Sequence, residues 1–296
     1  MRAAPAFVVL QSVLFATPAQ DVAEPFVPFE GRAYRLVNSV AFSADDQTMY
    51  FTLFYREVLA HRGRPDTTAA EVALFRSQRR VNGWSEPQLA PFSGTWSDYE
   101  PALAHDGSVL LFNSKRPYPD GRIPPRNDLW MVERQGEGWG QPKPLDGLNS
   151  FDLEESYATI DRERRIVFVK GPVREGGDDF DLYETRIGPD GMVEPPRRLP
   201  FSDDRFGEGD PQLAPDGSFL IFTRWDHQVG WQQTCDLYIA FRSDAGWTEP
   251  VPLSALNTPR PDYAAALSSD GRWLYYRAGG SLLRRPLERV LGAVRP

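Results

Sequence analysis

Apolar and polar positions alternate along most of the chain, in short runs broken by turn residues. Residues 101–112 read Pro-Ala-Leu-Ala-His-Asp-Gly-Ser-Val-Leu-Leu-Phe, and residues 211–222 read Pro-Gln-Leu-Ala-Pro-Asp-Gly-Ser-Phe-Leu-Ile-Phe. Period-two alternation puts successive side chains on opposite faces of a strand, and Asp-Gly between two such runs is a strong hairpin signal. Equivalent turns stand at Asp45-Asp46, Asp106-Gly107, Asp161-Arg162, Asp216-Gly217 and Asp270-Gly271, at intervals of 61, 55, 55 and 54 residues. The pattern predicts hairpins at a fixed period, so the chain is built by repetition.

Three further signals recur in the same order. A third strand opens on Asp128-Leu129-Trp130, Asp181-Leu182-Tyr183 and Asp236-Leu237-Tyr238, with Ala73-Leu74-Phe75 before them and a weaker Ser281-Leu282-Leu283 after. Gly-Trp-x-x-Pro follows at 83–87, 138–142 and 246–250, and at 191–195 with Met192 in place of Trp. An acidic lead-in then opens the next repeat: Asp98-Tyr99-Glu100-Pro101, Glu154-Glu155-Ser156-Tyr157, Glu208-Gly209-Asp210-Pro211 and Asp262-Tyr263. Each unit of about 55 residues reads as a four-stranded antiparallel meander. A single meander cannot bury both of its faces, so copies must pack face to face around an axis. The predicted fold is all-β, a five-bladed β-propeller with blades at 38–92, 98–147, 154–201, 208–256 and 262–287. The last repeat lacks its outer strand. Residues 24–30 resemble the outer-strand segment after Gly-Trp-x-x-Pro, so an N-terminal strand is expected to close the ring and remove open edges.

With these motifs the chain resembles the TolB-type, WD-like β-propeller repeat family. The resemblance rests on Pro-x-Leu-x-x-Asp-Gly-x-x-x-x-Phe, Asp-Leu-Tyr/Trp and Gly-Trp-x-x-Pro, and it spans residues 24–287. It implies a periplasmic or secreted protein that serves as a binding platform. TolB itself has six blades and a separate N-terminal domain, and neither is visible in this sequence.

Composition narrows the function. Apolar residues make up 41% of 296, enough for a sizeable core, and 27 Pro with 24 Gly leave little room for long helices. The net charge of −8 argues against a nucleic-acid partner. Cys235 is the only cysteine, so an intramolecular disulfide is excluded and a buried thiol is expected. Residues 1–19 have the grammar of a signal peptide: Arg2, an apolar run, then small residues at Thr17 and Ala19. That run is too short to span a membrane, and no later segment could. The mature chain is expected to be exported and monomeric.

In such a meander the strand 2–3 and strand 4–1 connections open on one face. The 2–3 connections are long at 55–71, 114–127, 170–180 and 224–235, whereas the last blade has only 278–280. Long loops on a rigid scaffold are where sites gather. The candidate ligand-binding residues are Trp225, Asp226, His227 and Trp231 on the fourth of these loops, with Arg116, Tyr99 and Tyr263; the two tryptophans offer stacking surfaces. His61 and Trp96 also stand outside the repeat. A basic residue recurs after strand 2 (Arg56, Lys115, Lys170, Arg224, Arg277), which with the acidic lead-ins predicts salt bridges serving the fold. The expected function is non-catalytic binding of a protein partner or a cell-envelope glycan. The alternative is a glycosidase-like hydrolase using Glu100, Glu155, Glu208 or Asp210, since two carboxylates roughly 5–9.5 Å apart suffice for that chemistry. His61 with His227 is a third arrangement. No cofactor is expected, the one alternative being Ca²⁺ on Asp178 and Asp179. Nucleophile-elbow and phosphate-loop motifs are absent from the sequence.

Overall fold

A computed structural model of the protein describes residues 23–29, 34, 36–64, 66–172, 179–188 and 191–294. Their strands form five antiparallel sheets in a closed ring, a five-bladed β-propeller. Asp178 and the leader-like segment 1–19 lie outside the described residues.

The innermost strands are Leu36–Phe42, Asp98–Leu103, Glu154–Ile160, Phe206–Leu213 and Asp262–Leu267. The second strands are the most buried. All six residues of Val109–Ser114 are buried, and Phe51, Phe112, Phe168 and Phe222 are wholly inaccessible between blades. Truncating such a ring costs about 3–5 kcal/mol. The outer strand is split in blades 1, 2 and 4, as in Gly83–Trp84 and Gln88–Leu89, which pair separately with Val72–Arg80. The motif tryptophans are structural. Arg79, Arg134 and Arg242 lie 5.1, 4.2 and 4.2 Å over Trp84, Trp139 and Trp247, a cation–π contact that locks each outer hairpin. Blade 3 has Met192 there, 68% exposed, and keeps only Arg197–Arg198 as an outer strand.

Every innermost strand slips register at the same place, as between Tyr99 and Ala102 or between Gly209 and Gln212. These are β-bulges. Their first residues, Asn38, Glu100, Tyr157, Asp210 and Ala264, all have φ between 44° and 55°. Left-handed backbone costs a non-glycine residue roughly 1–2 kcal/mol. Bonds to the preceding blade offset part of it: Glu100 N–H donates to Thr52 Oγ1, Tyr157 N–H to Asn113 Oδ1 and Ala264 N–H to Asp210 Oδ2. Pro101 and Pro211 follow the bulge residue, where the broken ladder asks for no N–H.

The N-terminal strand Glu24–Pro25 pairs antiparallel with Ser281–Pro286, opposite Arg284 and Leu283, and so completes the last blade. Arg284 adds an ion pair to Glu24 at 2.9 Å, and Phe26 packs edge-on to Tyr275. Three short helices depart from the sequence reading. Tyr55–His61 and Trp231–Thr234 sit inside long connections, and Leu287–Gly292 follows the last strand. The last one forms because Leu287 and Val290 fall on one helical face and enter the core beside Leu267 and Leu274. Among the described residues no helix is long and apolar enough to cross a membrane.

Candidate functional site

The recurring charges divide into two groups by where the inner strand puts them. One acid of each lead-in, Asp98, Glu155, Glu208 and Asp262, is fully buried. Asp98 pairs with Arg116 at 2.7 Å, Glu155 with Lys170 at 2.8 Å and Glu208 with Arg224 at 2.9 Å. Each cation also reaches back to the preceding blade, donating to Phe92 O, Leu148 O and Phe201 O. Ser93 and Ser150 hydroxyls donate to Asp98 and Glu155 from the connection between blades. Arg224 lies 5.0 to 5.7 Å from the centres of four aromatic rings. These are inter-blade struts. Glu155, Glu208 and Arg116 are thereby committed to holding blades together. Burial still pushes Glu208 up to about 7 against the pull of Arg224. The basic residues do not form one ring. Lys115 is exposed, Arg56 donates to Ala69 O, and Arg277 turns to Leu36 O and Asn38 O in the first blade.

The second group sits at the bulges. Glu100, Tyr157 and Asp210 line a narrow axial cavity of about 80 Å³ that runs down past Ala102 and Pro211 to His105 and Ser269. Burial raises Asp210 to about 6, against one backbone amide that favours its charge. Tyr99 and Tyr157 are held well above the usual phenol range, first by burial and then by surrounding charge that includes Glu100 and Glu154. Three carboxylates from consecutive blades thus share one field with these phenols. Trp231 lies outside that cavity; its ring meets Tyr263 edge-on at 5.5 Å.

The other expected residues fall elsewhere. Trp225 is 8% exposed and belongs to the core between blades 3 and 4. It lies so close over the inner strand that a Cβ on Gly207 would sit 2.3 Å from its ring, so it offers no open stacking surface. Asp226 caps its own turn through Gln228 N–H and pairs with Arg205 at 3.2 Å; these contacts hold it below the usual carboxylate range. His227 stands 3.4 Å from Asp179, whereas His61 ends the helix of blade 1. Cys235 is buried, and burial pushes its thiol up, away from nucleophile chemistry. Among the described residues no group of three or more His, Cys, Asp or Glu could hold a metal ion. The sequence offers Tyr157 and Arg277 only as members of the repeat; Tyr157 lines the axial cavity and Arg277 the groove beside it.

A larger groove of about 480 Å³ opens beside the axis, over the gap between the last and first blades. Phe26, Val27, Phe54 and Leu282 form its apolar side, and Asn38, Tyr263 and Arg277 its polar end. Of the eight exposed large hydrophobic residues described, five (Val27, Trp96, Ile123, Phe151 and Val229) lie in the connections of the long-loop face, and Val81 and Met192 lie in strand 3–4 turns on the opposite face.

No protein-family model and no curated protein matches the chain. Among solved structures, a gluconolactonase from Xanthomonas campestris is 13% identical, with 83% of this chain aligned on 70% of that one at a TM-score of 0.46. Kuenenia stuttgartiensis hydrazine synthase is 13% identical, with 90% aligned on 82% at 0.47. A puromycin-hydrolyzing peptidase from Mycobacterium tuberculosis is 13% identical, with 87% aligned on 46% at 0.47. Likeness at these values carries no chemistry from one protein to another, because a propeller scaffold hosts many activities.

Proposed function

We propose that the protein is a binding propeller that engages a macromolecular partner, a protein or a cell-envelope glycan, through its long-loop face, and that it works outside the cytoplasm. The observation that carries this reading is the concentration of exposed apolar side chains there. An apolar surface rimmed by polar residues is what a macromolecular partner covers. Trp96, Ile123, Phe151 and Val229 come from connections of four blades, a spread that suits a partner surface broader than one sugar ring. The axial cavity supplies carboxylates for hydroxyl or amine donors, and the Trp231–Tyr263 pair outside it supplies an aromatic edge. The test is retention of envelope proteins and arrayed glycans by the chain without residues 1–19. A Trp231→Ala variant should lose affinity at unchanged melting temperature. Equal retention by both forms removes the Trp231–Tyr263 pair from the account.

One observation favours a second reading, hydrolysis. Asp210 stays protonated up to about pH 6 and faces the same axis as Glu100. A carboxylic acid with a raised pKa sharing a cavity with a second carboxyl group is the pairing a glycosidase uses. Turnover on a polysaccharide panel that Asp210→Asn abolishes would establish it over simple binding.

A further inference from the structure

Arg277 breaks the charge pattern of the repeat. In blades 3 and 4 the buried lead-in acid stands directly across the ladder from its cation, Glu155 from Lys170 and Glu208 from Arg224. In the last blade Asp262 stands across from Ala278 and takes hydrogen bonds from the Thr258 amide and hydroxyl instead. The cation sits one residue back along the strand, at the register opposite Tyr263. The other four blades hold Thr52, Asn113, Val169 and Thr223 at that register, all without charge. A shift of one residue turns a side chain to the other face of its sheet, and Arg277 accordingly reaches the first blade.

On that side it lines the groove between the last and first blades, whose volume of about 480 Å³ falls within the range usual for small-molecule sites. Of the described residues that line the groove, Arg277 alone is charged at neutral pH. Glu100 and Asp210 line the separate axial cavity. Arg277 Nε donates to Asn38 O at 3.1 Å and Nη2 to Leu36 O at 2.7 Å. Those carbonyls hold the guanidinium in place but bring no anion, and among the described residues no carboxylate pairs with it. Phe26, Val27, Phe54 and Leu282 continue from it as an apolar wall. A fixed cation at the end of an apolar, half-buried groove is costly while uncompensated, and the planar guanidinium is matched best by a carboxylate.

We propose that this groove binds an apolar monocarboxylate, an aryl- or alkyl-carboxylic acid, with its carboxylate on Arg277 and its body along Phe26, Val27 and Leu282. A neutral apolar molecule fills the groove but leaves the cation unpaired. An amine of the same shape adds a like charge. A dicarboxylate of that length sets its second charge against the apolar wall, where desolvation is unfavourable. The inference goes beyond the macromolecular reading and shares with it only the face of the propeller from which the ligand approaches.

The experiment is calorimetric titration of the full chain at pH 7.5 with 4-phenylbutyrate, octanoate, 4-phenylbutanol, 4-phenylbutylamine and acetate. At least one of the two long acids should bind saturably, and the alcohol, the amine and acetate at least tenfold more weakly. Arg277→Gln should erase the preference for acid over alcohol. Because Arg277 also braces the first blade, Val27→Asp serves as the second variant: at a wall position 62% exposed, it should weaken binding of the acid at least tenfold with an unchanged melting temperature. An alcohol that binds as tightly as the acid, an acid preference that survives Arg277→Gln, undiminished binding by Val27→Asp, or no binding of either long acid at millimolar concentration overturns the proposal. Macromolecular capture by the same samples keeps the two readings apart. Capture without carboxylate binding defeats this inference alone, and carboxylate binding without capture defeats the macromolecular reading alone.

Discussion

Asp210 accepts the amide hydrogen of Ala264 across the boundary between the fourth and fifth blades, at 3.3 Å. The bond supports a left-handed backbone at Ala264 and places an acid on the propeller axis in one contact. It also fixes the expected pH response. Burial raises the folded-state pKa of Asp210 from 3.8 to about 6. The native state therefore holds more protons than the unfolded chain between those values. That contribution to stability is complete below pH 4 and is lost as pH rises through 6. Asparagine keeps the carbonyl that accepts from Ala264 but carries no charge. Asp210→Asn should gain on the order of 2 kcal/mol relative to wild type between pH 4.5 and pH 8. Urea unfolding at the two pH values measures the difference, and a pH-independent difference would show that Asp210 is not held in a charge-averse place.

The struts predict an asymmetric response. Arg224→Met leaves Glu208 buried without its cation and should cost about 3–5 kcal/mol at pH 8. Glu208→Gln, which keeps an acceptor for Arg224, should cost less. At pH 5 Glu208 is mostly protonated in the fold, since its pKa is about 7, so the penalty of Arg224→Met should shrink. Denaturant midpoints of both variants at pH 5 and pH 8 check this ordering.

Gly207→Ala should destabilise the fourth blade by about 1–3 kcal/mol, because its methyl group meets the Trp225 indole at 2.3 Å. Trp225→Leu in the same chain should recover part of that loss by making room. Melting temperatures of the two single variants and the double variant test the coupling; strict additivity would mean that the ring does not rest on Gly207.

Much of this architecture is legible in the sequence because its signals are local. Asp-Gly turns, Asp-Leu-aromatic strands and Gly-Trp-x-x-Pro each act within a few residues, so counting them yields five blades and the closing N-terminal strand. The strut acids are legible for the same reason, since a charge repeated in register serves the repeat. The axial site is less so. Glu, Tyr and Ala do not announce a positive φ, so the bulge that aims Glu100, Tyr157 and Asp210 inward is visible only in three dimensions. A tryptophan on a loop reads alike whether it faces ligand or core. The clue to Trp225 was Gly207 and Gly209, two residues without side chains on the strand it covers. The groove is lined by the N-terminal segment together with residues of the fifth blade, far apart in sequence, so no local signal marks it.

The central claim is that the long-loop face is the binding face. Partner or glycan retention should be measured for Trp96→Asp/Phe151→Asp on that face and for Val81→Asp/Met192→Asp on the opposite one. All four positions are exposed, at 40%, 47%, 101% and 68%, so neither pair should disturb the fold. The account predicts at least a tenfold loss for the first pair and wild-type retention for the second. Equal retention by the two pairs, or loss confined to Val81→Asp/Met192→Asp, would contradict it.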